Sequence, residues 1–133
     1  MEDEVRIAIK SDEDVLNARQ QGRALAARLG FSSVDLTLIS TAISEIARNI
    51  ATYARRGEMV FKPAQRGAKK GIVVIACDQG PGIPDLDMAM QDGYSTSGSL
   101  GIGLPGARRL MDDFEIVSAA GKGTCVTMKK WVR

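Results

Sequence analysis

Glu45 and Asn49 stand four residues apart in Ser44-Glu45-Ile46-Ala47-Arg48-Asn49. That spacing sets a carboxylate and a side-chain amide on one side of a helix, with Thr41 one turn earlier. The carboxylate can take a proton from a hydroxyl, and the amide oxygen can ligate a hard cation. Asn is a weak helix former because its amide competes with the backbone. An interior Asn beside an acid therefore invites a functional account, although a surface helix with an Asn–Glu hydrogen bond would carry the same pair. Asp78 ends the apolar run Ile72-Val73-Val74-Ile75-Ala76-Cys77. A carboxylate at a strand end only accepts hydrogen bonds, which suits the exocyclic amine of adenine. Gly80 and Gly82 follow and allow a ligand close to the backbone, though a plain Gly-Pro turn would use the same residues.

Gly101-Ile102-Gly103-Leu104-Pro105-Gly106 spells G-x-G-x-x-G. The polar residues Ser95 to Ser99, with Gly98 among them, exclude the preceding strand that a dinucleotide fingerprint requires, and no G-x-x-x-x-G-K-[ST] occurs. What remains is a set of backbone N–H groups and the positive end of a helix facing an anion. Ser95, Thr96, Ser97 and Ser99 add hydroxyl donors on a segment able to act as a lid. Gly121-Lys122-Gly123-Thr124 suits a hairpin turn, and its threonine would lie on a strand able to neighbour Asp78. In this order the segments supply a general base, a metal ligand, an adenine acceptor and a phosphate cradle. Those are the parts of an ATP site.

The elements that must position these groups follow from periodicity. Val5, Ile7 and Ile9 alternate as in a half-buried edge strand. Ser11-Asp12-Glu13-Asp14 predicts a capped helix carrying Val15, Ala18, Gly22, Leu25 and Leu29 inward and stopping at Gly30. A second helix starts near Ser32 or Ser33, with Leu36, Ile39, Ile43, Ile46 and Ile50 as its stripe. Glu58 to Lys62 predicts a short strand, Gln65 to Gly71 a turn, and Gly71 to Ala76 a central strand. A loop runs from Asp78 to about Leu100. Ile102 to Met111 reads as a short helix with Pro105 early in it, where a missing N–H costs little. Phe114 to Ala119 and Cys125 to Trp131 form a closing hairpin. The expected architecture is α+β: a two-layer sandwich of helices on one face of a mixed sheet, as one domain over residues 1–133.

Composition narrows the chemistry. Eighteen Lys plus Arg against sixteen Asp plus Glu leave a net charge of +2, and aromatics make up 5%. That balance argues against nucleic acid or membrane as a partner. No apolar stretch reaches spanning length and the first residues are acidic, so a cytoplasmic protein is expected. There is no histidine, which removes Ser-His-Asp triads, histidine-based zinc hydrolysis and autophosphorylation on histidine. Cys77 and Cys125 match no metal-site spacing and are expected as buried small hydrophobes.

Taken together, the segments resemble the GHKL ATP-binding fold of gyrase, MutL and histidine kinases, over nearly the whole chain from Ser11. Glu45 and Asn49 match its N box, Asp78 to Gly82 its first glycine box, and Gly101 to Gly103 its second. Within that fold the chain is most similar to the bacterial serine/threonine kinases of partner-switching systems. Six residues between Tyr94 and Gly101 make a shorter lid than anti-sigma-factor kinases carry, which favours the stressosome switch-kinase branch. The resemblance implies phosphoryl transfer from ATP, with Mg²⁺, to STAS-domain scaffold proteins of the RsbS and RsbR kind, followed by release to activate a downstream enzyme such as a PP2C-type phosphatase. It implies Glu45 as general base, Asn49 on Mg²⁺, and Asp78 with Thr124 on adenine. Gly80, Gly82, Ser97, Gly98, Gly101 and Gly103 would lie around the nucleotide. Arg48 lies beside the site, on phosphate or in an ion pair. A nucleotide-gated module that binds STAS partners without catalysis is the alternative. ATP hydrolysis of the gyrase sort is not expected, since those proteins need a second domain and the sequence closes at Arg133.

Overall fold

The computed structural model describes residues 4–54, 56–80, 103–118 and 121–133. Strand β1 (Val5–Ile9) turns Val5, Ile7 and Ile9 toward the helices and keeps Arg6 and Ala8 exposed. On that outer side Arg6 bonds Glu4 and Glu58, at 2.8 and 2.7 Å, and the two carboxylates raise its pKa. Helix α1 (Asp12–Leu29) is capped by the Ser11 hydroxyl, which accepts the Asp14 N–H. The Asp14 carboxylate reaches back to the Lys10 N–H at 2.8 Å, so two groups at the helix start find partners, worth about 1 kcal/mol for the cap. Gly30, at φ 97°, ends the helix, and Phe31 N–H bonds the Ala26 carbonyl behind it. Left-handed backbone is what this stop requires.

Helix α2 (Ser33–Asn49), capped by Ser32, carries the predicted stripe: Ile39, Ile43, Ile46 and Ile50 are buried. A β-carbon at Gly22 would overlap the Ile43 side chain and sit 3.4 Å from Phe61. That glycine lets α1 lie close against both α2 and the sheet. Leu25, Ile39, Ile43, Met59, Phe61, Val74 and Met128 form the middle of the core, each contributing about 1.5–3 kcal/mol by burial. Beyond Asn49 the chain continues as a π-helical turn, Ile50–Ala54, which periodicity did not predict.

Strands β2 (Gly57–Arg66) and β3 (Lys69–Asp78) form a hairpin closed by Gly67 at φ 61° and Ala68. Both are longer than expected, because the turn takes two residues rather than seven. Pro63 is tolerated in β2 because it lies beyond Val5, the end of β1, which pairs with Phe61; there its missing N–H faces no ladder. Helix α3 (Gly103–Leu110) then leads to β4 (Asp113–Ser118) and β5 (Thr124–Trp131). The sheet order is β1-β2-β3-β5-β4.

The architecture is the expected α+β sandwich, but the sheet is antiparallel at every pairing rather than mixed. Strands β3 and β4 do run parallel, as a crossover through a helix dictates. Strand β5 returns between them, so among the described residues no two parallel strands are neighbours. The cysteines differ too. Cys77 is opposite Cys125 on the outer face of the sheet, Cα atoms 4.1 Å apart, and the pair forms a disulfide. Cys125 is exposed, not a core hydrophobe. Forty-eight positions separate the two, and only the β3–β5 register brings them together.

Candidate active site

One cross-strand row holds the site. Ile9, Gly57, Asp78, Thr124 and Ser118 are register partners in succession across all five strands. Side chains alternate along β3, so Asp78 falls on the same side as buried Ile72, Val74 and Ala76, beneath the helices. Its Oδ1 accepts the Gly80 N–H at 2.9 Å, which fixes the carboxylate as the strand ends. Ser118 donates its hydroxyl to the Gly123 carbonyl at 3.1 Å and lies 2.7 Å from the Thr124 hydroxyl. That short contact ties the two hydroxyls together across β4 and β5, with either able to donate.

Three glycines close the chain around Asp78. A β-carbon at Gly57 would lie 2.6 Å from the Cys77 carbonyl oxygen, 2.8 Å from Ile50 Cγ2 and 3.0 Å from Asp78 Cβ. At Gly80 it would lie 2.6 Å from Ala54 Cβ, and at Gly123, φ 82°, it would overlap the Asp78 carbonyl. The π-helical turn thus packs on Gly80, the start of β2 on Asp78, and the β4–β5 hairpin on the end of β3. Through Ile50 and Ala54 this also sets the last turn of α2 beside the end of β3.

On that helix the Glu45 carboxylate accepts from the Arg48 guanidinium at 2.6 Å. The Glu45 side chain is 12% exposed and that of Arg48 47%, so the pair itself adds about 0–1 kcal/mol to stability. Its use is orientation: a rigid fork holds the carboxylate one turn from Asn49, which is half-buried. Helix α3 packs on α2 with Ala107 fully buried, and Gly103 opens it. A hollow of about 390 Å³ borders Asp78, Gln79 and Cys77, with Lys10 and Arg56 beside Glu58 and Gly57 on its walls. Among the described residues no three His, Cys, Asp or Glu side chains converge as a metal cage. One amide oxygen, from Asn49, fits a Mg²⁺ that draws most of its shell from phosphate oxygens and water.

Asp78, Gly80 and Thr124 are therefore brought together, with Glu45, Arg48 and Asn49 on the adjoining helix and Gly103 at the start of the helix packed on it. Gly82, Ser97, Gly98 and Gly101 lie outside the described residues. Sequence reasoning missed Gly57, Ala54 and Ser118 and gave Gly123 no part beyond the turn. Of these only Gly123, in Gly-Lys-Gly-Thr, carried a local signal.

Residues 10–130 match the family model of the histidine kinase-like ATPase domain. The chain belongs to that family. It is 50% identical over 133 residues to the serine/threonine-protein kinase RsbT of Bacillus subtilis, covering all of both chains. It is 34% identical over 121 residues to an anti-sigma F factor of Thermoanaerobacter, covering 86% of this chain and 83% of that one. Among solved structures it resembles the RsbU and RsbW domains of Rv1364c from Mycobacterium tuberculosis, with a TM-score of 0.63 and 23% identity. That match covers 96% of this chain and 32% of the other, and it shows the fold alone.

Proposed function

We infer that this serine/threonine-protein kinase of the histidine kinase-like ATPase family acts in the cytoplasm on STAS-domain scaffold proteins in a partner-switching pathway. Once released from the phosphorylated scaffold, it activates a downstream enzyme such as a PP2C-type phosphatase. The observation that carries this reading is the row holding Asp78 against Thr124, with glycines on the flanking segments. It offers an acceptor carboxylate and a hydroxyl side by side at a place where the backbone leaves room.

Asp78 accepts a hydrogen bond from the exocyclic amine of adenine, with Thr124 beside it. Gly80 and Gly82 leave space for the base. By the family resemblance Ser97, Gly98 and Gly101 would contact phosphate oxygens, together with the N–H of Gly103, which opens α3. Asn49 would hold Mg²⁺, which would supply positive charge to offset the charge developing on the phosphates. Glu45 takes the proton of the acceptor hydroxyl as its oxygen bonds the γ-phosphorus, and ADP leaves with the bridging oxygen. Arg48 orients Glu45.

The test is transfer of label from γ-phosphate-labelled ATP, with Mg²⁺, to STAS-domain proteins of the source genome. Transfer to a serine or threonine that disappears in Glu45→Ala supports the reading. Stable partner binding with no transfer under any condition would replace it with a nucleotide-gated adaptor.

A further inference from the structure

We propose that Cys77 and Cys125 form a reversible thiol–disulfide switch that sets how tightly the chain holds its nucleotide; the second half of this rests on the ATP-site reading above. The pair occupies the row next to the site: Glu58, Cys77, Cys125 and Val117 are successive register partners, one residue from Gly57, Asp78, Thr124 and Ser118. The disulfide therefore locks β3 to β5 at the residues that precede Asp78 and follow Thr124. They stand directly opposite each other in the β3–β5 ladder, Cα atoms 4.1 Å apart, so the strand pairing itself brings the two sulfurs within reach.

Both cysteines lie on the face of the sheet turned away from the core: Cys125 is exposed, and half-buried Cys77 borders the open hollow beside Lys10 and Arg56. Glu58, the other neighbour of Cys77, is engaged by Arg6 at 2.7 Å. Disulfides that occur in reducing compartments are usually transient and redox-sensing rather than structural. In the forward direction the Cys125 thiolate attacks a low-molecular-weight disulfide such as oxidised glutathione and expels one thiol. The Cys77 thiolate then attacks the mixed disulfide and expels the second. Two electrons and two protons pass from the cysteine pair to the small molecule, and two reduced thiols reverse the sequence.

The oxidised form adds a covalent tie that keeps Asp78 and Thr124 in fixed register, and the reduced form leaves the two strand ends held by ladder hydrogen bonds and the packing around Gly123. Oxidation should tighten ATP binding about fivefold, the lower end of ordinary coupling between linked sites. The experiment equilibrates the chain in glutathione buffers of graded redox ratio, quenches, alkylates and weighs it, then titrates ATP into the fully oxidised and fully reduced forms. The expected result is a disulfide fraction that follows the buffer, tighter ATP binding when oxidised, and a Cys125→Ser variant that binds like the reduced form in every buffer. A pair that stays dithiol in oxidised glutathione overturns the switch, and so does equal affinity in the two forms. A disulfide that titrates while neither form binds ATP would overturn the coupling and the ATP-site reading together, leaving the thiol exchange established by mass.

Discussion

The two ends of the sheet are built by opposite means. At the end where β5 finishes, charged and aromatic side chains close the strands, with the Trp131 ring lying over Gly71, where a β-carbon would lie 2.5 Å from it. Asp112 accepts from the Trp131 backbone N–H at 2.8 Å and from Arg133 at 2.5 Å. The Trp131 indole donates to Asp113 at 3.1 Å, and the Arg66 guanidinium lies 4.6 Å above its ring. The buried Lys130 ammonium donates to the Leu110 carbonyl at 2.8 Å. At the other end, side chains are removed: Gly57, Gly80 and Gly123 let three segments crowd around Asp78. A strand end closed by charge-assisted bonds adds stability, while one closed by glycines leaves a carboxylate and a hydroxyl facing space. The same five strands thus hold a clamp and a receptor at opposite ends.

Substitutions should separate the two. Glu45→Ala, beside the glycine-lined end, should lower phosphoryl transfer about 100- to 10,000-fold with ATP affinity largely kept; single-turnover transfer against nucleotide titration checks the split. Gly123→Ala forces a β-carbon into left-handed backbone against Asp78, and should cost about 1–3 kcal/mol in denaturant unfolding while also weakening ATP binding. At the clamp, Asp112→Ala removes the acceptor of Trp131 and Arg133 and should cost about 1–3 kcal/mol with ATP affinity unchanged. Arg66→Ala should lower stability by only about 0.5–1 kcal/mol, read in the same unfolding experiment. A clamp variant that changed ATP affinity at full folding would break the division.

Much of this was legible in the sequence because local signals set it. Ser11, Ser32 and Gly30 bound the first two helices, and the spacing of Ile39, Ile43 and Ile46 fixed the buried face of α2. Asp78 announced itself by ending an apolar run. What the sequence hid depends on register between distant strands. Thr124 was expected on a strand near Asp78, but the exact Asp78–Thr124 register and the Cys77–Cys125 bond beside it arise because β5 inserts between β3 and β4, and no local pattern encodes that choice. Gly67 and Ala68 made a tighter turn than the surrounding basic residues suggested, which lengthened β2 and β3. The π-helical turn that brings Ala54 against Gly80 has no periodic signature at five residues.

The most direct test compares thermal unfolding of the wild type, Asp78→Asn and Asp112→Ala with and without ATP and Mg²⁺. At nucleotide a hundred times its Kd, the wild type and Asp112→Ala should each gain about 2.7 kcal/mol, whatever their starting stability. Asp78→Asn should fold and gain almost nothing. A full nucleotide gain in Asp78→Asn would contradict the assignment of the receptor to this end of the sheet.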